Sequence, residues 1–589
     1  MQNPLDFYIS RKKEFELKAI ELKKKLTVSG FLRLSVFLLT VYGIYLFFGN
    51  YSVVIPFLII GLGLFIFLIL RHQKLDYEHI RIKNLIDINQ REIEVLNGNY
   101  SNLKTGNEFI DHDHFYSYDL DLFGEGSFFQ YLNRTATLSG KNRLANKLSK
   151  NTIDAIQEKQ NSTKELAKTP EWRQNFSATA KMIKVDTDSK TIVNWLTNYS
   201  FFVPKIFANL PKVFAIITWG LFALLFFKII PFSLLVLWFF IGLAITMIYV
   251  KKINGLYQNS SLAKSSFKQY HKLLDMIENK RFESDLLQKK QGDIRSENIK
   301  ASLIFKDFSK TLDALDQRNN MFFGIIGNGL FLWDLTKSYQ IEQWIKTYHH
   351  KVEDWFQVIA FFDAQNSLAN YVFNHPGHFF PKINNTGLVI ESKNLGHPLI
   401  DKKQRIDNDF NINSKDFYII TGANMAGKST FLRTVSLSIV MANMGLPVCA
   451  DEFIYSPIKL ITSMRTSDSL SKDESYFFSE LKRLKFIVDE LKSDNYFIVL
   501  DEILKGTNST DKAIGSKKFV EKLVNSGSTG IIATHDLSLC EVEKDYPQIH
   551  NKYFDAEIIN NELSFDYKLK KGICKNMNAS FLLQKMEIV

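Results

Sequence analysis

Cysteine is nearly missing from this chain of 589 residues: Cys449, Cys540 and Cys574 are all it has, without paired or metal-like spacing. That excludes a disulfide framework, suits a reducing compartment and leaves the thiols as packing residues with no disulfide partner. Neither disorder nor a fibrous repeat fits a composition that is 46% hydrophobic and 23% charged. At this length a single core is too small a unit, so two or more folded units are expected. The net charge of +11 permits a polyanionic partner, yet lysines flanking apolar segments account for much of it.

Charge is also missing locally. From Phe31 to Leu70 the only charged residue is Arg33, and the run is broken at Gly49-Asn50-Tyr51-Ser52 with Pro56 following. This predicts two membrane-spanning helices, 31–48 and 53–70, joined by a tight turn. A second pair is predicted from Val213 to Val250, divided around Lys228 and Pro231. Arg11, Lys12, Lys13, Lys18, Lys23, Lys24 and Lys25 precede the first hairpin, and Arg71 and Lys74 follow it. Lys205 and Lys212 precede the second, with Lys251 and Lys252 after it. Basic flanks on both sides place the two ends of each hairpin on the cytoplasmic face of an inner membrane, as a multi-pass protein in contact with lipid. A polar stretch ahead of Phe31 argues against a cleaved signal peptide, and the basic cluster Arg11–Lys25, interleaved with Glu14, Glu16 and Glu21, reads equally as lipid-touching or as a solvated helix.

Between and after the hairpins the pattern is helical. Leu75, Ile82, Ile86, Ile93 and Leu96 form one apolar stripe ending at Asn97-Gly98-Asn99, and the stretches 119–168 and 256–374 are mainly amphipathic, as in Leu273 to Lys290. Met321 to Trp333 is apolar but short for a span and is expected to be a core helix. His375 and His378 lie in a Pro-Gly turn without a third ligand, which reads as a plain loop.

The richest motif is Gly422-Ala423-Asn424-Met425-Ala426-Gly427-Lys428-Ser429-Thr430, which fits G-x-x-x-x-G-K-[ST] at every required position. A strand-like run, Phe417 to Thr421, precedes it, and a helical pattern free of internal Gly and Pro runs from Ser429 to about Met444. Such a loop cradles the phosphates of a nucleoside triphosphate on backbone N–H groups, with Lys428 reaching the β- and γ-phosphates and Ser429 offering its hydroxyl to Mg²⁺. Downstream, the buried-strand run Tyr496 to Leu500 ends in Asp501-Glu502, an acidic pair suited to holding Mg²⁺ (Asp501) and polarising the attacking water (Glu502). A third strand, Gly530 to Ala533, delivers Thr534 and His535, where His535 can sense the γ-phosphate or help place the water.

These residues resemble the MutS proteins of DNA mismatch repair. Thr421-Gly-Ala-Asn-Met-Ala-Gly-Lys-Ser-Thr-Phe-Leu-Arg433 is similar to that family's phosphate loop, except for Ala423 where proline is usual. Asp501 to Asp511, His397-Pro398-Leu399 and the signature Ser475-Tyr-Phe-Phe-Ser-Glu480 match further elements. Leu120 to Gly124, Leu132 to Thr135 with Gly140-Lys141, and Phe361 to Asp363 with Leu368-Ala369 resemble the family's helical core. The resemblance implies an α/β P-loop (ABC-type) ATPase domain at the C-terminus, preceded by an all-α core/lever domain that carries the two transmembrane hairpins. It implies ATP and Mg²⁺ as cofactors and a homodimer through the ATPase domains. In that dimer Ser475 contacts the partner's γ-phosphate in trans, Asp511 lies at the seam and Glu502 is the hydrolytic base. Lys428, Ser429 and Asp501 hold phosphate and metal.

The expected organisation is a basic helical segment (1–28), hairpin one (29–71), an amphipathic linker (72–118), helical core (119–212), hairpin two (213–250), the rest of the core (251–385) and the ATPase domain (386–589). Only a hairpin and a coiled stretch precede Asp119, so no mismatch-reading domain or wedge is carried over, no DNA clamp is identified, and 576–589 shows no helix-turn-helix. The leading expectation is a membrane-anchored MutS-like ATPase with double-stranded DNA as an implied partner and DNA repair as the implied process. The alternative is an ATP-driven membrane coupling or assembly factor without DNA.

Overall fold

Where composition changes along this chain the backbone does not always follow. The computed structural model describes residues 3–182, 188–295, 299–384, 387–465, 476–559 and 562–574. Its first two helices, α1 (Pro4–Leu46) and α2 (Tyr51–Leu96), are an antiparallel pair joined at residues 47–50, with Gly49 at φ 92°. Each runs unbroken through the expected boundaries near residues 28 and 71, because no Gly-Pro break accompanies the change from polar to apolar residues there. Asn3 caps α1 on the Leu5 N–H, and Pro4 occupies the first turn, where its missing donor costs nothing. The polar half of α1 carries its own ion pairs, Lys18 and Arg11 on Glu14, Lys12 on Glu16 and Lys25 on Glu21. Its other face buries Phe7, Tyr8 and Phe15.

The helical body follows: α3 (Phe128–Leu132), α4 (Leu138–Ser149), α5 (Ile156–Ala167), α6 (Pro170–Ala180) and α7 (Ser189–Thr197). A second long pair, α8 (Leu210–Phe226) and α9 (Phe232–Asn279), turns at Lys228, a lysine held at φ 58°. Then come α10 (Asp285–Gly292), α11 (Ala301–Asp316), α12 (Met321–Phe331) and α13 (Trp333–Asn374). Among the described residues three helices, α1, α2 and α9, are long and apolar enough to cross a membrane, and α8 is a shorter apolar helix of 17 residues.

The amphipathic stretch Leu273 to Lys290 is shared by two helices: α9 stops at Asn279, Phe282 inserts into the core, and the Glu165 carboxylate accepts from the Glu283 and Ser284 N–H groups ahead of α10. One expectation changes: α12 is not a core helix, since only Gly327, Asn328 and Gly329 of it are buried while Met321 and Phe322 stand 74% and 79% exposed.

Residues 382–571 add two main sheets. In β1 (Lys382–Ile383), β2 (Leu388–Leu395), β3 (Asn408–Asn413), β4 (Phe417–Gly422), β5 (Glu452–Tyr455) and β6 (Lys459–Ser463), helix α14 (Lys428–Asn443) follows β4. Next are α15 (Tyr476–Glu490), β7 (Tyr496–Asp501), α16 (Ser509–Asn525), β8 (Thr529–Ala533), β9 (Ile549–Phe554), the hairpin β10 (Glu557–Ile559) with β11 (Glu562–Ser564), and β12 (Leu569–Lys571). The six-stranded sheet has the order β12-β9-β4-β8-β7-β6, parallel except for β12 on β9. The other, in the order β1-β5-β2-β3, is antiparallel except for β1 on β5. Strands β4, β7 and β8 match the three expected runs; they are apolar on both faces because helices cover both sides of a parallel sheet.

Helix α13 enters two hydrophobic cores at once. Trp355 to Ile359 pack with α9 and α11, while Ala364, Leu368 and Tyr371 pack with the sheet-bearing part. The Asp363 carboxylate on α13 accepts from Ala136 N, Thr137 N and Thr137 Oγ1 at the start of α4, satisfying donors that a helix N-terminus leaves open. Nearby, Glu92 of α2 receives Arg134 Nε at 2.5 Å and the amides of Asn370 and Asn374 at 2.9 Å. Burial opposes ionisation of Glu92, but Arg134's charge and the three hydrogen bonds outweigh it and hold the carboxyl below its usual range.

Removing Glu92 strands these donors away from water. Glu92→Ala is expected to destabilise the folded protein by about 3–5 kcal/mol. Glu14→Ala, on the exposed face of α1, should cost less than about 1 kcal/mol. Chemical denaturation of the detergent-solubilised protein measures both, and equal effects would contradict this packing.

Candidate active site

The C-terminal ends of the parallel strands β4, β7 and β8 lie side by side, the place where open α/β sheets gather ligand-binding groups. From β4 the chain turns through Ala423 to Gly427 into α14, whose first residues are Lys428, Ser429 and Thr430. Gly427 sits at φ 97°, and a Cβ there would lie 3.0 Å from the Tyr567 ring. Met425 takes a left-handed conformation at φ 67° with its side chain exposed. Gly422, Ala423 and Ala426 are packed behind the loop, while Asn424, Met425, Gly427, Lys428, Ser429 and Thr430 line a cavity of about 630 Å³. That volume is in the range of small-molecule sites.

Lys428 donates to the carbonyls of Gly422 at 2.8 Å and Ala423 at 3.0 Å, and its Nζ is 3.2 Å from His535 Nε2. Burial lowers its pKa, opposed by the charges of Asp501 and Glu502. Ser429 Oγ donates to Asp501 Oδ2 at 2.6 Å, which joins β7 to the start of α14. Glu502, the next residue, lies 2.8 Å from His535 Nε2 and 3.8 Å from Lys505 Nζ. The hydrogen bond from His535 dominates its titration: against the opposing effect of burial it brings the carboxyl down to about 2, helped by the charges of His535, Lys505 and Lys512. One ring nitrogen faces both Lys428 and Glu502, so His535 either donates to the carboxylate or accepts from the ammonium.

The backbone beside the acidic pair is strained. Glu502 is at φ 50° and Leu504 at φ 59°, conformations that side-chain-bearing residues rarely take. The Glu502 N–H is tied to the Ala533 carbonyl at 2.9 Å, and the Lys505 N–H to Glu480 Oε2 at 2.9 Å. Glu480 is thereby fixed against the loop after Asp501-Glu502; its carboxyl is raised by burial, with the Leu504, Lys505 and Gly506 amides opposing. Ser475, at the other end of the same signature, lies outside the described residues. Asp511 is exposed in the first turn of α16, exchanging hydrogen bonds with Asn508, and is away from the cavity lining.

The opposite wall was not found from the sequence as part of the site. His397, Arg405, Ile406 and Tyr567 line it, brought there by the β2–β3 connection and the segment before β12. Burial, with Arg433 and Arg405 nearby, pushes His397 down to about 4, so its ring is neutral near pH 7. No spacing rule joins residues so far apart; the two segments are brought together by Asn408, which donates to the Tyr567 carbonyl at 3.0 Å and accepts from the Leu569 N–H at 2.8 Å, and by Lys568 on the Asp407 carbonyl at 2.6 Å.

Residues 418–585 match the family described as MutS domain V. The C-terminal part of the chain is of the MutS family. "DNA mismatch repair protein MutS" of Finegoldia magna is 34% identical over 227 residues, which is 36% of this chain and 26% of that protein. The Thermotoga maritima protein of the same description is 34% identical over 189 residues, 31% of this chain and 24% of its own length. "MutS protein homolog 4" of Homo sapiens is 32% identical over 194 residues, 31% of this chain and 20% of that protein. The chain thus matches only about a quarter of the length of these MutS relatives.

The Glu502–His535 contact makes a prediction about pH. A carboxyl brought from its ordinary value to about 2 contributes stability that is complete above the unfolded value, about 4.5, and is lost only as pH falls through about 2. The Tm advantage of wild type over Glu502→Gln should therefore shrink as pH falls from about 4.5 towards about 2. An advantage that does not change across that interval in thermal melts contradicts the contact.

Proposed function

We propose that this chain is a membrane-anchored MutS-like ATPase that binds and hydrolyses ATP as a homodimer. The observation that carries the reading is the convergence of Lys428, Ser429, Asp501, Glu502 and His535 on one cavity, from three neighbouring strand ends. The loop N–H groups and the N-terminus of α14 suit the triphosphate, and Lys428 suits the charge at its β- and γ-phosphates. Ser429 and Asp501 present two hard oxygens 2.6 Å apart, a donor set that fits Mg²⁺. When bound there, the ion would neutralise phosphate charge. Glu502, kept ionised, orients and deprotonates the attacking water, and His535 positions Glu502 and answers to the γ-phosphate. Ser475 and Asp511 are assigned to the second protomer's site and the dimer seam on the strength of the MutS resemblance. The apolar lengths of α1, α2, α8 and α9 support an inner-membrane anchor with the ATPase on the cytoplasmic side.

Turnover should require Mg²⁺ and fall by about 10²- to 10⁴-fold in Glu502→Gln. Lys428→Ala should also lose nucleotide binding, read by equilibrium dialysis. Unchanged turnover in Glu502→Gln overturns the site assignment.

Duplex DNA is part of the proposal because the relatives are described as mismatch repair proteins. Its affinity should fall with salt at a log–log slope of about −0.9 for each phosphate contacted. A protein that retains no duplex on a filter at low salt favours the second reading, an ATP-driven coupling or assembly factor in the membrane. That reading draws on α13, which reaches from the apolar helices to the sheet-bearing part.

A further inference from the structure

Helix α12 is fastened to the second apolar pair by contacts suited to a water-poor setting. Gly329 packs so closely on α9 that a Cβ on Gly242 would sit 2.3 Å from the Gly329 carbonyl oxygen. Thr218 of α8 donates to the Leu330 carbonyl at 2.8 Å and accepts from Trp238 Nε1 of α9 at 2.9 Å. Small residues at the contact and hydroxyl-mediated bonds between helices are the means by which helices associate inside a bilayer. Leu332, at φ 51°, then reverses the chain, and Trp333 at the start of α13 folds back onto Phe323, ring centroids 5.2 Å apart.

This reversal leaves a groove of about 510 Å³ between α8 and the α12–α13 turn. Pro211, Ala215, Phe323, Ile326, Phe331 and Trp333 form its apolar wall, and Lys212 stands at its edge. Lys212 immediately precedes the apolar run that begins at Val213, and the exposed Lys205, Lys251 and Lys252 lie at the same end of the pair in sequence. Lys337 places its ammonium 4.7 Å from the Trp333 ring centroid. An apolar groove rimmed by lysines and a tryptophan, at the end of a membrane-length apolar pair, combines the features of the acyl layer and the headgroup layer.

We propose that this groove holds one acyl chain of an anionic phospholipid, with the headgroup phosphate on Lys212. The proposal rests on the membrane reading of α8 and α9. Bound there, the lipid ties α8 to the first turn of α13, the helix that continues to the sheet-bearing part.

The test uses the full chain in phosphatidylcholine nanodiscs doped with phosphatidylglycerol whose acyl tail carries a photoreactive diazirine, adducts being mapped by mass spectrometry. Adducts are expected on 211–215 and 323–333, and Ile326→Trp, or Ala215→Trp from the opposite wall, should abolish them in protein that remains monodisperse. Lys212→Glu should lower their yield by about fivefold, the effect of one basic residue near an anionic surface. Adducts confined to 216–241 overturn the groove while leaving the membrane reading intact. Equal yields from a phosphatidylcholine probe, unaffected by Lys212→Glu, overturn the headgroup assignment. A chain with no adduct anywhere overturns the membrane reading itself.

Discussion

The arrangement depends on one carboxylate that is buried where two cores meet. Asp363 lies on α13 after the residues that pack with α9 and α11 and just before those that pack with the sheet-bearing part, and it closes the N-terminus of α4 with three donors. The closeness is enforced by the helix it serves: a Cβ on Gly140 would fall 2.1 Å from Asp363 Oδ2. A buried charge is tolerable only with such complete partnering. The position of α13 relative to the remainder is therefore set by hydrogen-bond geometry as well as by apolar area.

A second junction ties the helical body to the sheet. Asp119 accepts from Thr462 Oγ1 at the end of β6 and from the Arg465 N–H, while its own carbonyl receives Arg433 Nε from α14. Arg465 in turn pairs with Asp121. Since α14 begins with Lys428 and Ser429, the helix that opens the candidate site is the same helix that touches the helical body. Movement of α14 against β7 would be felt at Asp119 without an intervening loop.

How much of this was legible depended on whether local pattern and tertiary role coincide. For β4, β7 and β8 they do: a strand covered on both faces is an unbroken apolar run, so Lys428, Ser429, Asp501, Glu502 and His535 could be placed at its ends from spacing alone. Strand β9, Ile549-His-Asn-Lys-Tyr-Phe554, carries too many polar residues to announce itself, although it pairs with β4 along its whole length. The left-handed Glu502 and the wall of His397, Arg405 and Tyr567 arise from contacts between distant segments and leave no periodic trace. Helix α12 shows the converse: its apolar composition was plain, but composition does not say whether a helix enters a core or packs on the outside of an apolar pair.

The continuity of α9 through the change from apolar to polar sequence has a mechanical consequence. Its 48 residues amount to a rod of about 72 Å. Its polar end is held by Phe267, Tyr270, Leu273 and Ile277 within the helical core, and its apolar end is fastened to α8 through Trp238 and to α12 through Gly242. A tilt of the rod by about 10° in the core therefore carries its far end by about 12 Å, more than two helical turns of rise, and α8 and α12 travel with it. Small displacements in the core are thus converted to large ones at the tip, a gearing ratio that follows from an unbroken helix and would vanish if a glycine pair interrupted it near Lys251.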